Sequence, residues 1–146
     1  MPSANVTETD LATRLRLAIT RTARRLRQEA GTSLTPSLAA ALATVERHGP
    51  LTPSELAKVE RVKRPTATRL VAKLAAAGLV DRATDPNDGR VSLVSITPAG
   101  TTLLGRMRGR KNAYLARRLS ALPPEDVAAL ERAAEVLEKL LEGDRR

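Results

Sequence analysis

Residues 61–80 read RVKRPTATRLVAKLAAAGLV, and their reading decides the fold. The stretch holds five basic residues, Arg61, Lys63, Arg64, Arg69 and Lys73, and no acid. A proline stands near its start and a glycine near its end, the punctuation of a short helix. On a helical wheel of residues 65–77, Ala67, Leu70, Val71, Leu74 and Ala77 gather on one side with Gly78 just beyond, and these are the expected core face. Pro65, Thr68, Ala72 and Ala76 lie opposite, flanked by Arg69 and Lys73, with Thr66 at the edge. Small outward residues let a helix backbone sink into a groove, and a carboxylate on that face would be repelled by phosphates. A solvated basic helix has the same look, so the neighbours must choose.

Upstream, Thr52-Pro53-Ser54-Glu55 reads as a capping box that starts a helix over 53–59. Downstream, LVDRATDPNDGRVSLVSIT places β-branched residues around a Pro-Asn-Asp-Gly turn, a two-stranded hairpin over roughly 79–84 and 90–96. Val91 and Leu93 fall on one face of the second strand, Val94 and Ile96 on the other, which means either a phase slip or a strand buried on both sides. A short helix, a tight turn, a second helix and a hairpin make a winged helix-turn-helix. In that arrangement the second helix enters the major groove of DNA and the hairpin reaches sideways along the duplex. Thr68 can bond a base edge or a phosphate, Arg69 can reach guanine or a phosphate, and Lys73 suits the backbone. Thr52 and Ser54 at the start of the first helix, and Arg61, Lys63 and Arg64 in the turn, complete the candidate contacts. Arg90 directly follows Gly89 at the hairpin tip, where an arginine can enter a narrow minor groove, with Asp88 placed to hold its guanidinium.

Prolines punctuate the remainder. Thr35-Pro36, Thr97-Pro98 and Pro123-Pro124 each precede a helical pattern, so helices are expected near 8–30, 36–48, 98–120 and 124–142 besides 53–59 and 65–77. The fold class is mainly α with a small β-hairpin wing. The first helix carries Leu11, Leu15, Ala18, Ile19, Thr22 and Leu26 at helical spacing, and the last carries Val127, Leu130, Ala134, Leu137 and Leu141. Each either packs on its own core or pairs with the other, within or between protomers. Gly105 and Gly109 lie one turn apart in 98–120, which reads as close packing on a neighbouring helix or as a flexible joint.

Bulk properties agree with a nucleic-acid partner. The chain has 146 residues, one domain or one protomer of an oligomer, and is 42% hydrophobic with no Phe, no Trp and one Tyr. Its net charge of +9 suggests a polyanionic partner, nucleic acid first and an anionic membrane second. By segment the net is +3 over 1–30, −1 over 31–60, +4 over 61–97, +6 over 98–120 and −3 over 121–146. No apolar run is of membrane-spanning length, and the N-terminus lacks the pattern of a signal peptide. The absence of cysteine excludes disulfides and thiolate metal sites, and the cytoplasm, in association with the nucleoid, is the expected location. The single histidine, His48, precedes Gly49-Pro50 at a helix end, where a role at the helix C-terminus fits better than metal ligation. No phosphate-binding loop, dinucleotide fingerprint or zinc-protease motif is present, so neither catalysis, cofactor nor metal is expected.

The run from Leu51 to Gly100 resembles the MarR family of bacterial transcriptional regulators. Its most specific part is the wing signature, Asp85, then Asp88-Gly89-Arg90, then the Thr97-x-x-Gly100 helix start. The resemblance implies a homodimer whose N- and C-terminal helices interlock, with Leu11, Leu15, Ile19, Leu130, Leu137 and Leu141 on the seam. It implies dimerisation through 1–34 and 98–146, a winged DNA-binding domain over 35–97, and a pseudo-palindromic operator. By analogy Pro65, Thr66, Thr68 and Arg69 match major-groove positions and Arg90 the minor-groove arginine, with Asp85 and Asp88 supporting the wing. Asn87 departs from the basic residue many members carry there, which weakens the expected wing–phosphate contact. Members often bind small aromatic or phenolic anions, which implies a pocket between helices 8–30, 36–48 and 98–120. For aromatic stacking this chain offers only Tyr114. The sharper expectation is a sequence-specific repressor responsive to a ligand. The alternative is a sequence-tolerant DNA-coating protein with the same fold.

Overall fold

Helix starts are set locally. In the computed structural model, which describes residues 2–144, the elements run α1 Pro2–Ala30, α2 Pro36–His48, α3 Pro53–Glu60, α4 Arg64–Ala76, β1 Val80–Asp85, β2 Asp88–Ile96, α5 Pro98–Ser120 and α6 Pro124–Gly143. Thr35 Oγ1 accepts the Leu38 N–H at 3.2 Å and Thr52 Oγ1 that of Glu55 at 3.1 Å, each satisfying a donor that the first turn leaves unpaired. α4 differs: it starts one residue early, at Arg64, and its cap Lys63 makes no side-chain bond to it. α1 begins at Pro2 rather than near residue 8, because proline suits the first turn and no breaker follows it.

The core is aliphatic. Ala41, Leu42 and Val45 of α2, Leu56 and Ala57 of α3, and Ala67, Val71 and Leu74 of α4 are buried, with Leu51, Leu79, Val80 and Val94 beneath the wing. Ala30, Leu104 and Met107 join the same cluster from α1 and α5.

β1 and β2 pair antiparallel from Val80↔Ile96 to Thr84↔Ser92, and the register shifts only at the tip, between Thr84 and Asp85. Leu51 adds an isolated bridge on the other side of β2. Its N–H donates to Val94 O at 3.1 Å and its carbonyl accepts from Val94 N at 2.8 Å. Val94 is buried, while Val91, Leu93 and Ile96 are half-buried. Of the two readings of this strand, partial burial on both faces is the observed one.

Thr97 joins wing to helix. Its Oγ1 donates to Gly78 O at 2.7 Å and accepts from Gly100 N at 3.1 Å. A Cβ on Gly100 would stand 2.3 Å from Leu79 O and 2.7 Å from Ile96 Cγ1, so the Thr-x-x-Gly start needs glycine for a close backbone approach.

The chain divides into two compact units, Met1–Lys111 and Asn112–Arg146. The second comprises the end of α5 and α6, joined by a tight turn in which Ala121 N donates to Arg118 O and Leu122 N to Leu119 O. None of the described residues of α6 is buried; Leu130 is 49% exposed and Leu141 65%, and Leu137 is half-buried. In the first unit, Leu11, Leu15 and Ile19 of α1 are likewise exposed. Only the end of α1 reaches a core, through Ala30, and the leucines and isoleucine farther up α1 and along α6 are not packed into the core of their own unit. Gly105 and Gly109 are also exposed, and among the described residues of their own unit a Cβ on either meets nothing within 4 Å.

Gly100→Ala is expected to cost about 1–3 kcal/mol in urea unfolding, because Leu79 O cannot yield without moving the backbone. The Gly105→Ala, Gly109→Ala double substitution, which meets open space, is expected to stabilise by up to about 1 kcal/mol per site through helix propensity. A loss of stability there would mean that another surface occupies those positions.

Candidate nucleic-acid interface

The interface is assembled from the α3–α4 turn outward. α3 ends at Glu60, and Arg61 adopts a left-handed conformation, φ 54°, with its N–H donating to Lys58 O at 3.3 Å. Val62 N then returns to Ala57 O at 3.0 Å, and Lys63 opens α4. Such a conformation costs a side-chain-bearing residue about 1–2 kcal/mol, and it lets the chain reverse in three residues. Arg61, Lys63 and Arg64 are all exposed along this turn.

α4 presents the face that its sequence spacing predicts. Ala67, Val71 and Leu74 are buried, and Leu70 is half-buried. Pro65, Thr68, Arg69, Ala72, Lys73 and Ala76 are exposed, and Thr66 sits half-buried between the faces. Ala77 and Gly78, expected on the core face, are exposed instead. The helix closes at Ala76, and Gly78 takes φ 74° so that Leu79 N can reach back to Leu74 O at 2.9 Å. Beyond Ala76 the wheel no longer applies. Thr52 and Ser54 are half-buried at the start of α3, the Thr52 oxygen already accepting its capping bond.

The wing tip is ordered by its own carboxylates. Asp85 Oδ1 accepts the Asn87 N–H at 2.8 Å, closing an Asx turn. Asp88 Oδ1 accepts the backbone N–H of Arg90 at 3.1 Å. Asp88 thus fixes the Arg90 main chain, where its guanidinium was the expected partner, and among the described residues the two side chains form no ion pair. The Arg90 side chain is exposed beyond it. The sequence reading passed over Arg82, exposed on β1 opposite Val94, which adds a cation to the wing. Its signal was a basic residue between Asp81 and Ala83 in a strand exposed on both faces from Asp81 to Thr84.

A cavity of about 670 Å³ lies between the end of α1, α2 and α5, lined by Leu26, Ala39, Ala43, Leu104 and Met107 and by the cations Arg24, Arg27, Arg108 and Lys111. These are the elements expected to bound a pocket. Tyr114 is not in its lining; it is half-buried in the second unit with the Arg118 guanidinium 5.3 Å from its ring centroid. Arg110 of α5 donates to Ala30 O and Gly31 O, both at 3.3 Å, and so caps the end of α1. Among the described residues no group of three or more His, Asp or Glu can hold a metal ion, and no helix is long and apolar enough to cross a membrane.

Residues 34–92 match the MarR family model. An HTH-type transcriptional regulator of Mycobacterium tuberculosis is 38% identical over 133 residues, covering 90% of this chain and 93% of its own length. The chain belongs to the MarR family. The HTH-type transcriptional repressor MdtR of Bacillus subtilis is 32% identical over 73% of each chain. A crystal structure of a transcriptional regulator from Pseudomonas aeruginosa superposes with a TM-score of 0.83 at 31% identity, covering 92% of this chain and 96% of that one. This MarR-family chain is accordingly a transcriptional regulator with a DNA-binding winged helix-turn-helix, and the family is one of regulators rather than an enzyme class.

Asp85→Ala and Asp88→Ala are expected to speed amide exchange at Asn87 and Arg90 while leaving global stability within about 0.5 kcal/mol, because both bonds are exposed and local. Exchange by hydrogen–deuterium NMR checks this, and unchanged protection would show that the hairpin alone orders the tip.

Proposed function

We propose that this chain is a homodimeric repressor that reads a pseudo-palindromic operator with α4 and its wing, and that a small anionic ligand in the α1–α2–α5 cavity releases it. The observation that carries the reading is the exposed face of α4: small residues and cations only, on a helix whose opposite side is locked in the core. Pro65, Thr66, Thr68 and Arg69 are assigned to the major groove and Arg90 to the minor groove, with Asp85 and Asp88 supporting the wing. Thr52, Ser54, Arg61, Lys63, Arg64 and Lys73 are assigned to the phosphates. The repressor sign is supported by the similarity to MdtR.

Dimerisation is assigned to residues 1–34 and 98–146 and DNA binding to 35–97. The exposed Leu11, Leu15, Ile19, Leu130 and Leu141, with half-buried Leu137, support this, since apolar helix faces of that extent ordinarily find a partner. Ion pairs between a basic α1 and an acidic α6 would set orientation, each exposed pair adding only about 0–1 kcal/mol. The protein would act in the cytoplasm on the nucleoid. A sequence-tolerant DNA-coating role uses the same cations and is the outcome to be excluded.

Fluorescence anisotropy on DNA from upstream of its own gene, against a shuffled duplex across a salt series, is expected to show a preference of ~10³-fold or more with a steep salt slope. Arg69→Ala and Arg90→Ala are expected to erode the preference. Equal affinity for operators recovered by genomic selection and for shuffled DNA would replace the repressor reading with the coating one. Sedimentation at low micromolar concentration is expected to give a dimer, and a monomer there would remove the operator symmetry from the proposal.

A further inference from the structure

Arg108 holds two positions at once. Its side chain lines the cavity, and its Nη1 lies 2.8 Å from Glu46 Oε1, an ion pair that ties α5 to α2. Glu46 is not itself part of the lining, so it engages the guanidinium from beside the cavity. The lining holds four cations, Arg24, Arg27, Arg108 and Lys111, and no carboxylate. Arg24, Arg27 and Lys111 form no ion pair among the described residues. The apolar part of the lining is aliphatic, Ala, Leu and Met, with no aromatic ring to stack on a flat ligand. Met107 in particular adapts to an irregular, flexible chain.

We propose that Glu46 is a built-in substitute for the acidic group of the effector, and that an alkyl carboxylate entering the cavity takes Arg108 from it. This rests on the cavity being the effector site. The exchange is like for like: one carboxylate leaves the guanidinium as another arrives, so Arg108 stays paired while the α5–α2 tie is cut. Arg110, one half-turn on, remains committed to the backbone carbonyls that end α1 and offers no such exchange. The consequence passes through α2. Thr44, two residues before Glu46, hydrogen-bonds the Glu60 carboxylate at the end of α3, next to the Arg61 turn. A shift of α2 is thereby felt at the hinge that sets α3 against α4.

Isothermal titration of the full chain with octanoate, octanamide and benzoate tests the assignment without DNA. Octanoate is expected to bind, octanamide not to bind and benzoate to bind more weakly than octanoate. Glu46→Gln is expected to tighten octanoate about fivefold, the factor that corresponds to an exposed ion pair of ~1 kcal/mol. Arg108→Gln is expected to weaken octanoate and to abolish the effect of Glu46→Gln in the double variant. Both side chains are partly exposed, so these variants fold, and melting curves verify it. Unchanged affinity in Glu46→Gln, or equal binding of octanoate and octanamide, would overturn the proposal. In parallel, octanoate and Glu46→Gln are each expected to weaken operator binding; octanoate that binds but leaves DNA affinity unaltered would overturn the release step. Failure of the DNA-binding reading shows separately, as absence of any operator while the calorimetry stands.

Discussion

The Thr97 hydroxyl is the contact on which the arrangement depends. It donates to Gly78 O, where α4 ends, and accepts from Gly100 N, where α5 begins. Leu79 O then rests against Gly100 at a distance that leaves no room for a Cβ. Three elements therefore meet at one small node: the helix that presents Arg69, the strand that leads to Arg90, and the helix that carries Arg108 and Arg110. Thr97 is 9% exposed, so both of its bonds are sheltered from water, where replacing one partner leaves a buried group unsatisfied. A node built from one hydroxyl and one missing methyl group fixes the end of α4, the wing and the start of α5 against one another.

Much of this was legible because it is local. Prolines after Thr35, Thr52 and Thr97 mark helix starts, and the caps follow from the same residues. The core face of α4 is legible from spacing up to Leu74, and it fails at Ala77 only because Gly78 turns the chain away. The hairpin is legible, but its third neighbour is not. Leu51 is a single apolar residue between Pro50 and Thr52, too short to carry a period, yet it pairs with Val94 and gives β2 a partner on its second edge. The candidate contacts on α4 and at the tip follow from residue type and position. The Asp88 bond does not, since a carboxylate two residues before an arginine suits its backbone N–H as well as its guanidinium, and only the turn decides.

The cavity was legible as a place and not as a chemistry. Arg108 and Glu46 stand 62 residues apart. Arg108, Arg110, Arg106 and Lys111 look alike as a basic run, yet the fold gives them different tasks: Arg110 caps α1, Arg108 pairs with α2, and Lys111 lines the cavity. Nothing in helical spacing separates these, because the discrimination comes from which element lies opposite each side chain. The same holds for Gly105 and Gly109, whose spacing suggested a packed neighbour and whose surroundings within their own unit are open.

Magnitudes limit what an ion-pair exchange can do. A partly exposed pair contributes about 0–1 kcal/mol, at most a factor of about five in an equilibrium. To carry a two-state protein from 1:99 to 99:1, a ligand must prefer one state by ~10⁴-fold, or about 5.5 kcal/mol. Release of Glu46 can therefore set the direction of the switch and select for an acid, but most of its energy must come from elsewhere. The aliphatic lining is the available source. At about 0.8 kcal/mol per buried methylene, five or six methylenes sheltered in one state and not in the other supply the difference. An effector that works through this cavity is then an amphiphile. Its acid confers selectivity through Arg108, and its hydrocarbon supplies the energy that the exchange at Glu46 cannot.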